Sequence, residues 1–205
     1  MNLRTETKPN ELGSGIEVSS LEGVVRVGGW PRVAASVLGC CALIALGAQV
    51  RVPIPGTDVP MTLQLLAVLL TGFALPPARA MCATLLYLAC GAAGLGVFVP
   101  GSAGVVGPTG GYLVGFVVAA WLLSVLKGGS RSGFFRLLAA GAVGCLAVFV
   151  LGIAWRTFWF AGDVRLAIVT GLLPFAGKAV VELLLATTMV TAVRGLRRVG
   201  AGRRT

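Results

Sequence analysis

The stretch 107-GPTGGYLVGF-116 decides how this chain folds, because it sets four glycines in ten residues midway along otherwise apolar text. Such a stretch cradles a phosphate, opens a helix, or lets two helices touch. A phosphate cradle of the GxxxxGK[ST] kind follows a strand and ends on a lysine and a hydroxyl, so that backbone N–H groups and the ammonium converge on the phosphate. The nearest text is 171-GLLPFAGKA-179, with five residues between its glycines and Ala179 after Lys178. No ATP site is recognisable, so energised work would fall to another polypeptide.

The stretch reads instead as a helix start with a packing face. Thr109 is placed to cap the helix through its side-chain oxygen. Gly107, Gly111, Gly115 and Ala119 then recur every fourth residue and form one smooth stripe. Small residues at this spacing let helix backbones approach closely in lipid, where no hydrophobic drive brings helices together. Similar spacings occur earlier, at Ala35 and Gly39 and at Cys41 and Ala45. The helix start at Thr109 and Gly110 also turns free N–H groups and a positive dipole end toward any anionic ligand group. Before it lies the uncharged 100-PGSAGVVG-107, flexible enough to close over a ligand, whereas three prolines stiffen 51-RVPIPGTDVP-60.

The rest of the chain says what solvent surrounds that helix. Of 205 residues, 57% are hydrophobic and only 12% charged, with a mean hydropathy of +0.93. Soluble domains carry roughly 25% charged residues. The excess cannot hide inside a soluble core, and an all-α integral membrane protein is expected. There is no histidine, which removes His bases, His metal ligands and Ser–His or Cys–His pairs. Cys40, Cys41, Cys82, Cys90 and Cys145 all fall inside apolar runs without CxxC spacing, and read as small packing residues. Residues 1–30 lack an apolar signal-peptide core and read as a poorly ordered cytoplasmic extension.

A spanning helix needs roughly 20 apolar residues. Apolar runs cover 33–50, 61–77, 80–99, 111–126, 137–155 and 178–193, with a shorter one at 164–175. Six spans are expected within 31–193, with 156–175 a partly helical, membrane-dipping connection. Basic residues favour the cytoplasmic side. With six spans and both ends inside, Arg4, Lys8, Arg26, Arg32, Arg79, Lys127, Arg131, Arg136, Arg194, Arg197, Arg198, Arg203 and Arg204 are cytoplasmic, and only Arg51, Arg156, Arg165 and Lys178 lie outward. The tail 194–205 and the 127–136 loop then face anionic lipid headgroups of the cell membrane. Nucleic acid is not expected as a partner, since no aromatic-interleaved basic domain accompanies the tail.

The run 52-VPIPGTDVPMTLQLLAVLLTGFALPPARAMCATLLYLACGAAGLGVFVPG-101, followed by 107-GPTGGYLVGF-116, closely resembles the BioY family, the biotin-binding S components of energy-coupling factor (ECF) transporters. The resemblance covers residues 33–193. It implies six membrane helices, biotin bound near the outer face, and transport in company with a transmembrane coupling subunit and two cytoplasmic ATPases. It also implies that the small-residue face of the first span, here Ala35, Gly39, Cys41 and Ala45, meets the coupling subunit. Family members carry P-F-x-P-G-D-x-x-K entering the last span, its acid and lysine directed at the ligand. Here the text is 174-PFAGKAVVELL-184; aligned without a gap, the acid position is Ala179 and the lysine position Glu182. One base and one acid remain, Lys178 and Glu182, in the opposite order.

Ionisable side chains inside a span cost roughly 2.5–3.5 kcal/mol each on insertion scales, so Lys178 and Glu182 are candidate ligand contacts. A mutual ion pair is their structural alternative. Biotin offers a carboxylate and a ureido ring with two N–H donors and one carbonyl. Lys178 suits the carboxylate or the ureido oxygen; Glu182 or Asp163 suits a ureido N–H. Gln64, Tyr87, Thr109, Gly110 and Tyr112 are further candidates, with helix packing or interfacial placement as the alternative for the two tyrosines. Trp155, Trp159 and Phe160 read as an interfacial aromatic belt. No metal, cofactor or catalytic residue is called for. The rivals are an S component for another vitamin, an intramembrane hydrolase (which would need a serine near Lys178 or a GxSG nucleophile), and a purely structural subunit.

Overall fold

The computed structural model describes residues 29–52, 61–100, 104–129 and 131–202. These form seven α-helices: α1 Trp30–Gln49, α2 Gln64–Ala74, α3 Pro77–Ala92, α4 Gly110–Leu126, α5 Phe134–Trp159, α6 Val164–Gly171 and α7 Leu173–Gly202. Two-residue strands Arg51–Val52 and Met61–Thr62 pair antiparallel, and a 3-10 turn covers Gly104–Val106. The expected N-terminal extension, save its last two residues, and the proline-stiffened segment 53–60 lie outside the described residues, as does 101–103 of the expected flexible loop.

Every expected run holds a helix, but the bounds shift for local reasons. The third helix stops at Ala92 instead of running to 99, because Gly94 and Gly96 take φ of +80° and +65°. The chain there turns back so that Phe98 sits edge-on to Tyr87, 5.4 Å between ring centroids, in the space a Cβ at Gly91 would occupy. α2 ends at Ala74, before the pair Pro76–Pro77, which donates no backbone hydrogen bond. The short run at 164–175 is split between two helices, and its Pro174 lies in the first turn of α7, where a proline's missing N–H costs nothing. α7 continues through Gly202, so the expected basic tail is largely helical.

The α4 stripe is a packing face, as its spacing implies. A Cβ at Gly111 would lie 2.2 Å from Cβ of Trp155, and one at Gly115 would lie 2.8 Å from the Val148 backbone. The stripe therefore needs bare backbone, and α4 and α5 form the most extensive helix pair of the bundle. Thr109 is the residue before α4, yet its side chain makes no capping bond. Its carbonyl accepts from Tyr112 and Leu113 instead, so the expected cap is a backbone turn.

Bonds between connections define two ends. At one, Arg51 donates to the carbonyl of Pro100 (2.7 Å) and the Trp155 indole to that of Gly107 (2.9 Å). At the other, Lys127 donates to the carbonyls of Gly72 (2.8 Å), Phe73 (3.0 Å) and Leu75, and Ser124 also donates to Leu75 (2.6 Å). These side chains satisfy the open carbonyls at the C-terminus of α2, which no helical N–H reaches. The start of α1 and the end of α7 both lie at this Lys127 end.

Ile44, Val68, Leu69, Tyr87, Leu123 and Leu137 are among the residues packed at the centre. Large apolar side chains such as Leu46, Leu146, Val150 and Val180 point outward. A surface so apolar belongs in lipid, and α1, α5 and most of α7 are each long and apolar enough to cross a bilayer. The chain is an all-α integral membrane protein.

Candidate ligand-binding site

Two polar clusters lie in the Trp155 half of the bundle. The first gathers on the opening turn of α2. Gln64, buried there, donates from Nε2 to the Tyr87 hydroxyl of α3 (2.7 Å) and accepts from Thr62 on Oε1 (2.9 Å). Lys178 and Glu182, one turn apart on α7, form an ion pair of 2.7 Å, with Lys178 19% exposed and Glu182 3% exposed at the side chain. Oε1 of Glu182 is buried and has no hydrogen-bond partner among the described residues. A buried carboxylate oxygen without a donor is costly.

The second cluster joins α4, α5 and α6. The Tyr112 hydroxyl donates to the carbonyl of Gly171 (2.9 Å), and its ring fills the space that a Cβ at Gly152 would need. Arg156 is fully buried; its Nη2 donates to the Thr170 hydroxyl (2.9 Å), and its guanidinium lies 4.8 Å from the centre of the Phe160 ring. Gly171 is bare for a reason, since a Cβ there would lie 2.3 Å from the Tyr112 hydroxyl.

The structure thus joins Gln64 to Tyr87 and Lys178 to Glu182, and gives Tyr112 a partner on α6. It gives the other candidates local work. The Gly110 N–H donates to the carbonyl of Gly107, and a Cβ at Gly110 would meet the Val105 carbonyl at 2.0 Å, so the start of α4 is packed and the N–H groups of Gly110, Tyr112 and Leu113 turn to the chain itself. Asp163 is exposed and caps α6, accepting from the Leu166 N–H at 2.8 Å. Trp155 and Phe160 bind the Gly107 carbonyl and the Arg156 guanidinium, so only Trp159 of the three keeps a belt-like exposed position. On α1, Ala35 and Gly39 are exposed and Ala45 half-buried, whereas Cys41 turns inward to the core beside Ile44 and is not on the outward face.

Arg156 is the residue that sequence reasoning places in an outer connection and the structure buries. A signal is present. Gly144, Val148, Gly152 and Arg156 recur every fourth residue on α5, with Phe160 next in step just past its end, so the stripe that meets α4 carries Arg156 inward.

A profile of the BioY family matches residues 20–199. Biotin transporter BioY of Thermotoga maritima is 34% identical over 158 residues, covering 76% of this chain and 91% of that protein. Biotin transporter BioY2 of Lactococcus lactis subsp. cremoris is 36% identical over 153 residues, covering 71% and 84%. The crystal structure of the S-component for biotin from an ECF-type ABC transporter shares the fold, with a TM-score of 0.72 at 22% identity over 82% of this chain and 92% of that one. With its glycine stripe and these relatives, the chain belongs to the BioY family.

Proposed function

We propose that this protein captures biotin for uptake across the cell membrane, as the S subunit of an ECF-type transporter energised by a separate ATPase module. The observation that carries the reading is the enclosed Glu182 carboxylate, with one oxygen on Lys178 and the other without a donor among the described residues. A ureido N–H supplies the donor that Oε1 lacks, and Lys178 remains within reach of the ureido oxygen or the carboxylate. Polar groups paired in this way discriminate strongly against analogues that lack them. The names of the BioY relatives support biotin as the ligand.

Six helices, α1 to α5 and α7, cross the membrane in this reading, and both termini are cytoplasmic. Arg156 and Lys178 support it. Both are drawn into the bundle, so the described Trp155 end presents only Arg51 and Arg165 as exposed basic side chains, while the described Lys127 end keeps Arg32, Arg131, Arg136 and Arg197 exposed. The coupling subunit meets the outward face of α1 at Ala35 and Gly39, where a Cβ on Gly39 would touch nothing within 4 Å.

Calorimetric titration of biotin into the purified protein tests the reading, beside Glu182→Gln. The native protein is expected to bind tightly, and Glu182→Gln to weaken binding by about 1–3 kcal/mol through the mispaired donor. Failure of the folded native protein to bind would overturn the biotin reading and favour another small ligand, consistent with the altered 174–184 text.

A further inference from the structure

α6 is unlike every other helix of the bundle. None of its residues belongs to the central core cluster, and only Ala167 and Gly171 are buried. Val164, Leu166 and Val169 point outward. The turn that leads into it carries two successive left-handed residues, Ala161 (φ +51°) and Gly162 (φ +94°), and Ala161 is the one non-glycine residue of that kind among those described. Elements with few core contacts and strained hinges open at low cost, while the body of the fold stays closed.

The ties that hold α6 down sit at its far end. Thr170 accepts from Arg156 and the Gly171 carbonyl from Tyr112. Among the described residues the hydrogen bonds at its first turn are local, Asp163 accepting from Leu166 at 2.8 Å. α6 packs on α5 and on α7, and so covers the buried Arg156 and borders the helix that carries Lys178.

We propose that α6 is the lid of the ligand site, pivoting at Ala161–Gly162 and latched by Tyr112 and Arg156, which act as positioning residues through Gly171 and Thr170. The identity of the ligand rests on the biotin reading above; the lid itself does not.

The test uses Ala167→Cys in the full-length protein. Ala167 is fully buried on the inner side of α6, so N-ethylmaleimide reaches the introduced thiol only when the helix lifts. Trypsin releases residues 166–178, which hold no native cysteine, and mass spectrometry of that peptide gives the labelling rate free of the five others. Val169→Cys, on the exposed side, labels freely and sets the scale. Tyr112→Phe and Thr170→Val, each removing one hydroxyl of the latch, are expected to speed labelling about five-fold apiece, the factor that one net hydrogen bond contributes to an opening equilibrium. Biotin at saturation is expected to slow it. In the same variants, biotin dissociation is expected to accelerate more than Kd rises, which a merely structural lesion would not produce. Labelling that ignores both latch substitutions overturns the lid, even if biotin binds. Labelling that answers to the latch but not to biotin leaves the lid standing and removes biotin as its ligand. Should Ala167→Cys not fold, hydrogen exchange across 164–171 in Tyr112→Phe and Thr170→Val separates the same outcomes: faster exchange there supports the lid, and exchange unchanged from the native protein overturns it.

Discussion

Two half-buried lysines sit in opposite halves of this bundle, and their surroundings could hardly differ more. Lys127 gives its ammonium to three backbone carbonyls at the end of α2. Its donors are spent on main chain that cannot leave. Lys178 has Glu182, and Glu182 keeps an oxygen with no donor among the described residues. A cation that serves architecture is saturated by fixed acceptors. In the biotin reading proposed above, the cation that serves a ligand is paired with a side chain that still has bonding capacity in hand.

The comparison can be broken by exchanging roles. Lys127→Met strands the carbonyls of Gly72 and Phe73, Leu75 keeping Ser124, and is expected to lower resistance to unfolding by about 3 kcal/mol, a charged donor contributing more than a neutral one. Biotin affinity should remain within about twofold, since nothing of the proposed site depends on it. Denaturant titration and calorimetry on the same sample separate the two. Lys178→Met should do the reverse at its own end, weakening biotin by about 1–3 kcal/mol. If it instead leaves Kd unchanged, Lys178 is as architectural as Lys127. Ser124→Ala removes the neutral partner of the Lys127 end and is expected to cost about 1 kcal/mol of stability with no change in binding. Smallest in stability is the double exchange Lys178→Glu with Glu182→Lys. The ion pair survives, so unfolding should shift by only about 0.5 kcal/mol. Binding should still fall, because the spare acceptor and the donor have traded places.

Much of this fold can be read from spacing. The four-residue recurrence from Gly107 to Ala119 names a helix face, and the backbone of α5 fills it. Lys178 and Glu182, four apart on one helix, can be paired on paper and are paired in space. What escapes is of two kinds. The apolar run makes the third helix too long, because apolarity across 93–99 does not reveal that Gly94 and Gly96 leave the helical region. Arg156 reads as part of a connection because an arginine beside Trp155 looks interfacial; its burial follows from the α5 stripe and from a partner, Thr170, on a helix that the hydropathy pattern scarcely marks. Thr109 has the chemistry of a cap and does not use it, since the turn closes through its carbonyl. Pairings that depend on how a short helix folds back are three-dimensional facts, and no period in the text encodes them.

α7 has thirty residues without a break, a rod of about 45 Å at 1.5 Å per residue, against roughly 30 Å of hydrocarbon. Lys178 and Glu182 sit near one tip, and the arginines Arg194 and Arg197 ride near the other. A stiff rod is a mechanical lever. A tilt of about 10° imposed at the paired charges would sweep the far tip through about 8 Å with no bend anywhere along it. A spin label on Val199, an exposed position of that far tip, would therefore feel the filling of a site most of the membrane away.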